Sequence, residues 1–413
     1  MSNMNRKRNS GALAKAAALA VALAAFAAGQ QAFADPTTRA QARRMYDRLT
    51  GTPPSPELLN DLETRLDNLG GATSEPARAS VALYILDKDS PRSKDFYTVT
   101  LKNFASPWTN RDQSIFAPLN DYTATVIGMV RDDLDFRGVL SEDIIYVGNG
   151  VTPAYSPTSN AHYDALESNS VDLRTALVRT TQSSLNGLPP TATAGVITSR
   201  AGAEAFFIDG TNRAMFRFTL LNHMCRDLEQ VHDTSLPPDR IRQDVTRSPG
   251  GDSSVFNNNC VGCHSVMDSM AQAFAYYDFD ETVGRLVYTP GQVQPKYLIN
   301  SDNFKPGYVT PNDAWDNRIR LREEEQAESL RIIGFSDSLS GSGTGAKSLG
   351  QELAASNAFA QCQVEKVFRA ICFRSPASRD DINRVQAFTE NFEGGGNLKQ
   401  VFADVAAYCA GSN

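Results

Sequence analysis

The sequence predicts a mostly α-helical protein with long irregular loops. Several segments repeat apolar residues at helical spacing and are closed by Pro, Ser or Gly. Alternating runs of Val and Ile, the mark of half-buried strands, are scarce. Between the helical segments lie stretches rich in Pro, Ser, Asn and Thr. At 413 residues the chain is long enough for two or three domains or lobes.

The elements follow in order. Arg6, Lys7 and Arg8 precede an apolar run from Ala12 to Ala28, and Ala32-Phe33-Ala34 is a small-x-small cleavage pattern. Residues 1–34 are therefore expected to be a secretory signal rather than an anchor, with no transmembrane segment left after cleavage. Helices are expected over 36–49 and 56–68, the second opened by Pro54-Ser55 and closed by Gly70-Gly71. Another runs from Pro76 to Leu86. The stretch Phe96–Phe104 is mixed, 118–136 is helical in part, and Ile144 to Thr193 reads as loops with short elements. Helix returns at 200–207 and strengthens at 212–231, where Met215, Leu220, Met224 and Leu228 fall close to one face. Residues 281–318 are irregular, and the Gly/Ser-rich Ser336–Ser348 reads as a mobile connector. Three helices, 350–373, 379–391 and 397–409, finish the chain. The expected organisation is a signal (1–34), an N-terminal mainly helical lobe (35–205), a middle region (206–335), a connector (336–349) and a C-terminal helical module (350–413).

The middle region holds Cys260-Val-Gly-Cys263-His264. Two cysteines three apart with a histidine directly after form the attachment sequence of a c-type haem. A redox dithiol needs no such histidine. A zinc site needs two further ligands nearby, and the next cysteine is Cys362. One covalent haem c is therefore expected on Cys260 and Cys263, with His264 as the proximal metal ligand. This makes residues 206–335 a monohaem cytochrome c-like core with added helical lobes. The absence of a second CxxCH excludes a two-haem peroxidase. No methionine follows Met270, so the distal ligand is sought upstream. Met224 and His223 lead, Met215, His232 and His162 follow, and an open site stays among the alternatives. His223 and Met224 point about 100° apart on a helix, so at most one can face the iron. Met267 and Met270 are expected to pack. Arg242 and Arg247 are candidate propionate partners for the cofactor. Asp268 is expected to cap a turn or accept from an arginine, and Tyr276 and Tyr277 to pack on the porphyrin or in the core.

Loss of the signal removes four basic residues and moves the formal charge from −7 to −11. An acidic chain disfavours nucleic acid and anionic membranes and suits a basic redox protein partner. Cys225, Cys362, Cys372 and Cys409 remain for two disulfides, with three pairings open. Cys362–Cys409 is preferred, with Cys372 reaching back to Cys225. No serine-hydrolase elbow, phosphate loop or HExxH helix is present.

From Asn212 onward the chain resembles the large exported cytochrome c-like proteins of Gram-negative bacteria, related to the planctomycete-type cytochrome c domain. The family motif runs CxxCHxxMDPxGxAFExFD. This chain matches it at Cys260, Cys263, His264, Met267-Asp268, Ala273-Phe274 and Phe279-Asp280. It departs at Ser269 and Ala271, where the family often has Pro and Gly. The segment from Phe359 through Cys362, Phe368 and Cys372 to Arg374 is similar to the family's terminal helical module. The resemblance implies an exported haem protein of the periplasm or the extracellular face. The expected function is electron transfer between redox partners. The alternatives are a haem-dependent oxidoreductase with an open distal site and a haem-bearing subunit of an envelope complex.

Overall fold

The computed structural model describes residues 37–208, 210–237, 239–240, 253–298, 308–323, 326–327 and 331–411. The expected signal segment and the candidates Arg242 and Arg247 lie outside them. The described chain is mostly helical, as expected, with three two-stranded antiparallel sheets.

The two ends of the sequence build one helical body. Helices α1 (Thr38–Thr50), α2 (Pro56–Asn68) and α3 (Glu75–Ile85) open it. Each starts on a hydroxyl cap: the side chains of Thr37, Ser55 and Ser74 accept from the amides of Ala40, Leu58 and Ala77. Each cap satisfies an amide that the first helical turn leaves without a partner. Helix α4 (Asp121–Arg131) is buried along its whole length. Its Gly128 leaves no room for a Cβ, because the Tyr146 ring would lie 2.2 Å away. Tyr146 belongs to strand β1 (Ile145–Gly148), which pairs with β2 (Leu177–Thr180). Helices α5 (Arg200–Phe206) and α6 (Arg213–Thr219) lead to α7 (Val261–Ala271). Two strand pairs follow: the hairpin β3 (Tyr277–Asp280) with β4 (Arg285–Tyr288), and β5 (Ala314–Asp316) with the more distant β6 (Ser342–Thr344).

The chain closes with α8 (Gly345–Ala354), α9 (Asn357–Cys372), α10 (Arg379–Gly395) and α11 (Leu398–Gly411). Apolar residues of α11 pack against α3, α1 and α9. The last carbonyls of α11 have no helical partner of their own. Arginines of the N-terminal helices supply one at Cys409 and Ala410, from Arg48 at 3.0 Å and Arg44 at 3.1 Å, and Arg78 donates to the Ala407 carbonyl one turn from the end at 2.7 Å. Positive charge at a helix C-terminus also favours the helix dipole.

Several expectations change. The helix expected over 212–231 ends at Thr219, passes through a wide turn at Leu220–Met224 and breaks at Cys225, whose φ is +53°. Asp227 then caps a separate turn, Leu228–Val231. The helix expected over 350–373 is two helices, because the Ser356 hydroxyl accepts from the amide of Phe359 and starts α9 afresh. The stretch expected as a mobile connector contributes β6, and Trp315 Nε1 donates to Ser348 at 2.8 Å.

Both disulfides form, but the preferred pairing is corrected: the bonds are Cys225–Cys362 and Cys372–Cys409, with Cα separations of 5.3 and 5.6 Å. Cys372 and Cys409 lie at the C-terminal ends of α9 and α11, which meet. Cys362 lies ten residues earlier on α9, about 15 Å along the axis, and faces the turn after α6 instead. No helix among the described residues is long and apolar enough to cross a membrane.

Candidate functional site

Cys260 and Cys263 are free and half-buried where a wide helical turn runs into α7, whereas the other four cysteines are bonded in pairs. Ser253–Val255 and a wide helical turn, Phe256–Cys260, run without a break into α7, so Cys260 closes that turn and Cys263 sits in the first turn of α7. Helix α7 packs on α6 and on the Leu228–Val231 turn. The loop after that turn lies across the motif, and the Asp233 amide donates to the Gly262 carbonyl at 3.1 Å. A Cβ on Gly262 would stand 3.0 Å from Thr234 Cγ2 and 3.1 Å from His232 Cδ2. Glycine between the cysteines is therefore what lets the loop approach. A cavity of ≈ 490 Å³ opens beside this loop, lined by His232, Asp233, Thr234, Leu236, Leu321 and Arg322.

The next two turns of α7 carry a polar relay. His264 Nδ1 lies 3.2 Å from both carboxylate oxygens of Asp268. The i,i+4 spacing places the two side chains on one face. Arg213 of α6 grips the same carboxylate with Nε at 2.7 Å and Nη2 at 2.9 Å. Burial opposes ionisation of Asp268, but the Arg213 guanidinium and the His264 imidazole overcome it and hold the carboxyl at about 2. Burial, followed by the nearby carboxylates of Glu229 and Asp227, pushes the Cys263 thiol up.

The distal candidates are engaged elsewhere. The turn that carries His223 and Met224 packs chiefly on α9 and α6. His223 Nε2 is 2.7 Å from the Tyr122 hydroxyl, with Trp108 edge-on at 5.3 Å and Phe359 stacked at 6.3 Å. Burial, with Lys366 nearby, drives the His223 pKa well below its usual value. Met224 and Met215 are core residues. His162 accepts from the Gly148 amide through Nε2 and contacts the Pro153 carbonyl through Nδ1, both at 2.8 Å. His232, by contrast, does lie against the motif, and its Nδ1 contacts the Glu229 carbonyl at 2.6 Å. Met267 and Met270 are buried, Tyr277 stacks on Phe207 in the core, and Tyr276 meets Tyr288 edge-on.

The expectation of a covalent haem c with its iron is therefore corrected, and with it the electron-carrier function and both haem-based alternatives. Among the described residues no three His, Cys, Asp or Glu side chains converge where a metal ion could be held. His264 turns one ring nitrogen to Asp268, and the two leading distal candidates sit in the aromatic core around Trp108 and Phe359. What the structure brings together is Cys260, Cys263, His264 and Asp268 on one helix, with Arg213 and His232 beside them. Arg213 has no sequence signal, since it is 55 residues from its partner. The His264–Asp268 spacing was there to be read.

No family model, curated protein or solved structure matches the chain.

Proposed function

We propose that the protein is an exported thiol–disulfide exchange protein whose working pair is Cys260 and Cys263. The observation that carries this is the contrast in cysteine state. Four cysteines are bonded and two, three residues apart on one helical stretch, are free. A CxxC pair is a recurrent arrangement for dithiol chemistry. Cys260, at the junction of the wide turn and α7, attacks the partner's disulfide, forming a mixed disulfide and releasing one partner sulfur as thiolate. Cys263, packed against the core and with its thiol pushed up, then attacks Cys260 and releases the second. Two electrons pass to the partner and Cys260–Cys263 becomes the disulfide. The reverse sequence oxidises a partner dithiol. His264, fixed by Asp268 and Arg213, is the adjacent proton acceptor.

An oxidising compartment, the periplasm or the outer face of a Gram-negative cell, suits this reading. Support comes from the two disulfides and from the signal pattern at 1–34. A basic redox protein is the partner that the charge of −11 favours. Trapping tests the proposal. Cys263→Ser should accumulate a mixed disulfide through Cys260, and Cys260→Ser should not. Equal trapping by both variants, or by neither, would reject the assigned roles.

A further inference from the structure

The β3–β4 hairpin sets two half-buried tyrosines against one another. Tyr277 opens β3 and stands opposite Tyr288, the last residue of β4. Tyr276 extends the ladder, because its carbonyl accepts from the Thr289 amide at 3.0 Å. The rings of Tyr276 and Tyr288 meet with centroids 6.2 Å apart and planes inclined at 65°, so their faces form a corner. Tyr277 is buried and backs Tyr288 at 4.8 Å, and it stacks in turn on Phe207 at 5.6 Å. Tyr276 and Tyr288 themselves are only half-buried.

Asp313 closes the corner. It stands directly before β5, which packs beside the Gln272–Phe274 turn that leads to Tyr276. Its carbonyl accepts from the Gly345 amide at 3.1 Å. Gly345 has a φ of +73°, and a Cβ there would lie 3.2 Å from Asp313 Oδ2, so glycine leaves the carboxylate its room. Burial pushes the Asp313 carboxyl up, and no cationic side chain among the described residues offsets it. Burial also pushes up the phenols of Tyr276, Tyr277 and Tyr288, and the Asp313 charge adds to the effect on each. A carboxylate withdrawn from water is costly without a cation beside it. Aromatic ring faces are negative as well. Every group at this corner therefore favours a positive charge, and the described part of the chain supplies none.

We propose that Tyr276, Tyr288 and Asp313 bind a quaternary ammonium group, with the two rings as walls and the carboxylate as counter-charge. A methylated cation suits aromatic walls, because its methyl groups bury apolar surface while the charge is attracted to the ring faces. Plain ammonium must give up strong hydration to enter. The group belongs to a free solute such as choline or to a lipid headgroup of the same chemistry. The site stands independently of the dithiol chemistry.

Titration of the full mature chain with tetramethylammonium and with choline, followed by the methyl-proton signals, tests the proposal. Both should bind with a dissociation constant on the order of 1 mM. Ammonium and 3,3-dimethylbutan-1-ol, the uncharged carbon analogue of choline, should bind at least about tenfold more weakly. Tyr288→Phe keeps the ring and should bind within about threefold of the wild type. Tyr288→Leu and Asp313→Asn should each lose about tenfold or more. Phosphatidylcholine vesicles separate the sources: pelleting of the protein with vesicles, relieved by choline, assigns a lipid headgroup, and choline binding without pelleting assigns a free solute. A wild type that binds neither cation overturns the proposal. So does equal binding of the uncharged analogue, or wild-type affinity in Asp313→Asn or in a folded Tyr288→Leu variant.

Discussion

Six cysteines occupy two regions with opposite fates. In the helical body, Cys362, Cys372 and Cys409 are buried, and each is bonded to a cysteine on another element. Where the wide turn meets α7, Cys260 and Cys263 share one turn, are half-exposed and remain unbonded. The difference shows what geometry asks of a thiol. A bond between elements closes a long loop and restricts the unfolded chain. A pair within one turn closes almost nothing, so its bond state is free to change with its surroundings.

The sharpest way to break this comparison is to remove cysteines from each region and unfold the variants in denaturant. The Cys225–Cys362 bond spans 137 residues and Cys372–Cys409 spans 37. Loop closure alone assigns them about 5 and about 4 kcal/mol, of which about 2–4 is typically realised. Cys225→Ala with Cys362→Ala should therefore destabilise most, and Cys372→Ala with Cys409→Ala somewhat less. Cys260→Ala with Cys263→Ala should cost less than about 1 kcal/mol. A free pair that costs as much as a bonded pair would erase the contrast.

The relay beneath the dithiol makes a pH prediction. The Asp268 carboxyl is lowered from 3.8 to about 2 in the folded protein. Its contribution is thus present above the unfolded value and is lost as pH falls through the folded one. That amounts to about 2 kcal/mol, lost between about pH 4 and pH 2. Asp268→Asn should be less stable at neutral pH and should flatten the acid limb of the stability curve by that amount. An unchanged acid limb would show that Arg213 and His264 do not hold the carboxylate in solution.

A smaller effect is expected at Gly262. Its missing Cβ lets the His232–Thr234 loop lie on the motif. Gly262→Ala should cost about 1 kcal/mol and should raise the reactivity of Cys263 toward maleimide as the loop is displaced. Unaltered reactivity would mean that the loop does not shield the thiol.

The sequence exposed the terminal helices well, because their signals are local. Ser55-Pro56, Ser74 and Ser378 are caps that a linear reading finds, and the helix expected over 56–68 is the one observed. Interruptions were harder. The break at Cys225 depends on a left-handed residue and a bond to Cys362, and neither is written in the local sequence. The split at Ser356 was legible as a cap inside a long apolar pattern, and the periodicity hid it. The disulfide pairing failed because Cys362 and Cys372 were treated as alternatives on one helix. Their axial separation decides which of them meets the end of α11. At the site, the CxxCH letters identified the right segment. The surroundings of His223 depend on Tyr122 and Phe359, more than a hundred residues apart in either direction from it, and no local pattern shows them.

The most direct test of the dithiol account is to count the sulfurs of the mature protein by mass after alkylation. The chain holds six cysteines, two of them free in the structure. Mild reduction of the folded protein should yield two alkylated sulfurs, mapped to Cys260 and Cys263, and full reduction after unfolding should yield all six. If Cys260 and Cys263 stay unalkylated after full reduction, each already carrying a carbon substituent, the account is contradicted.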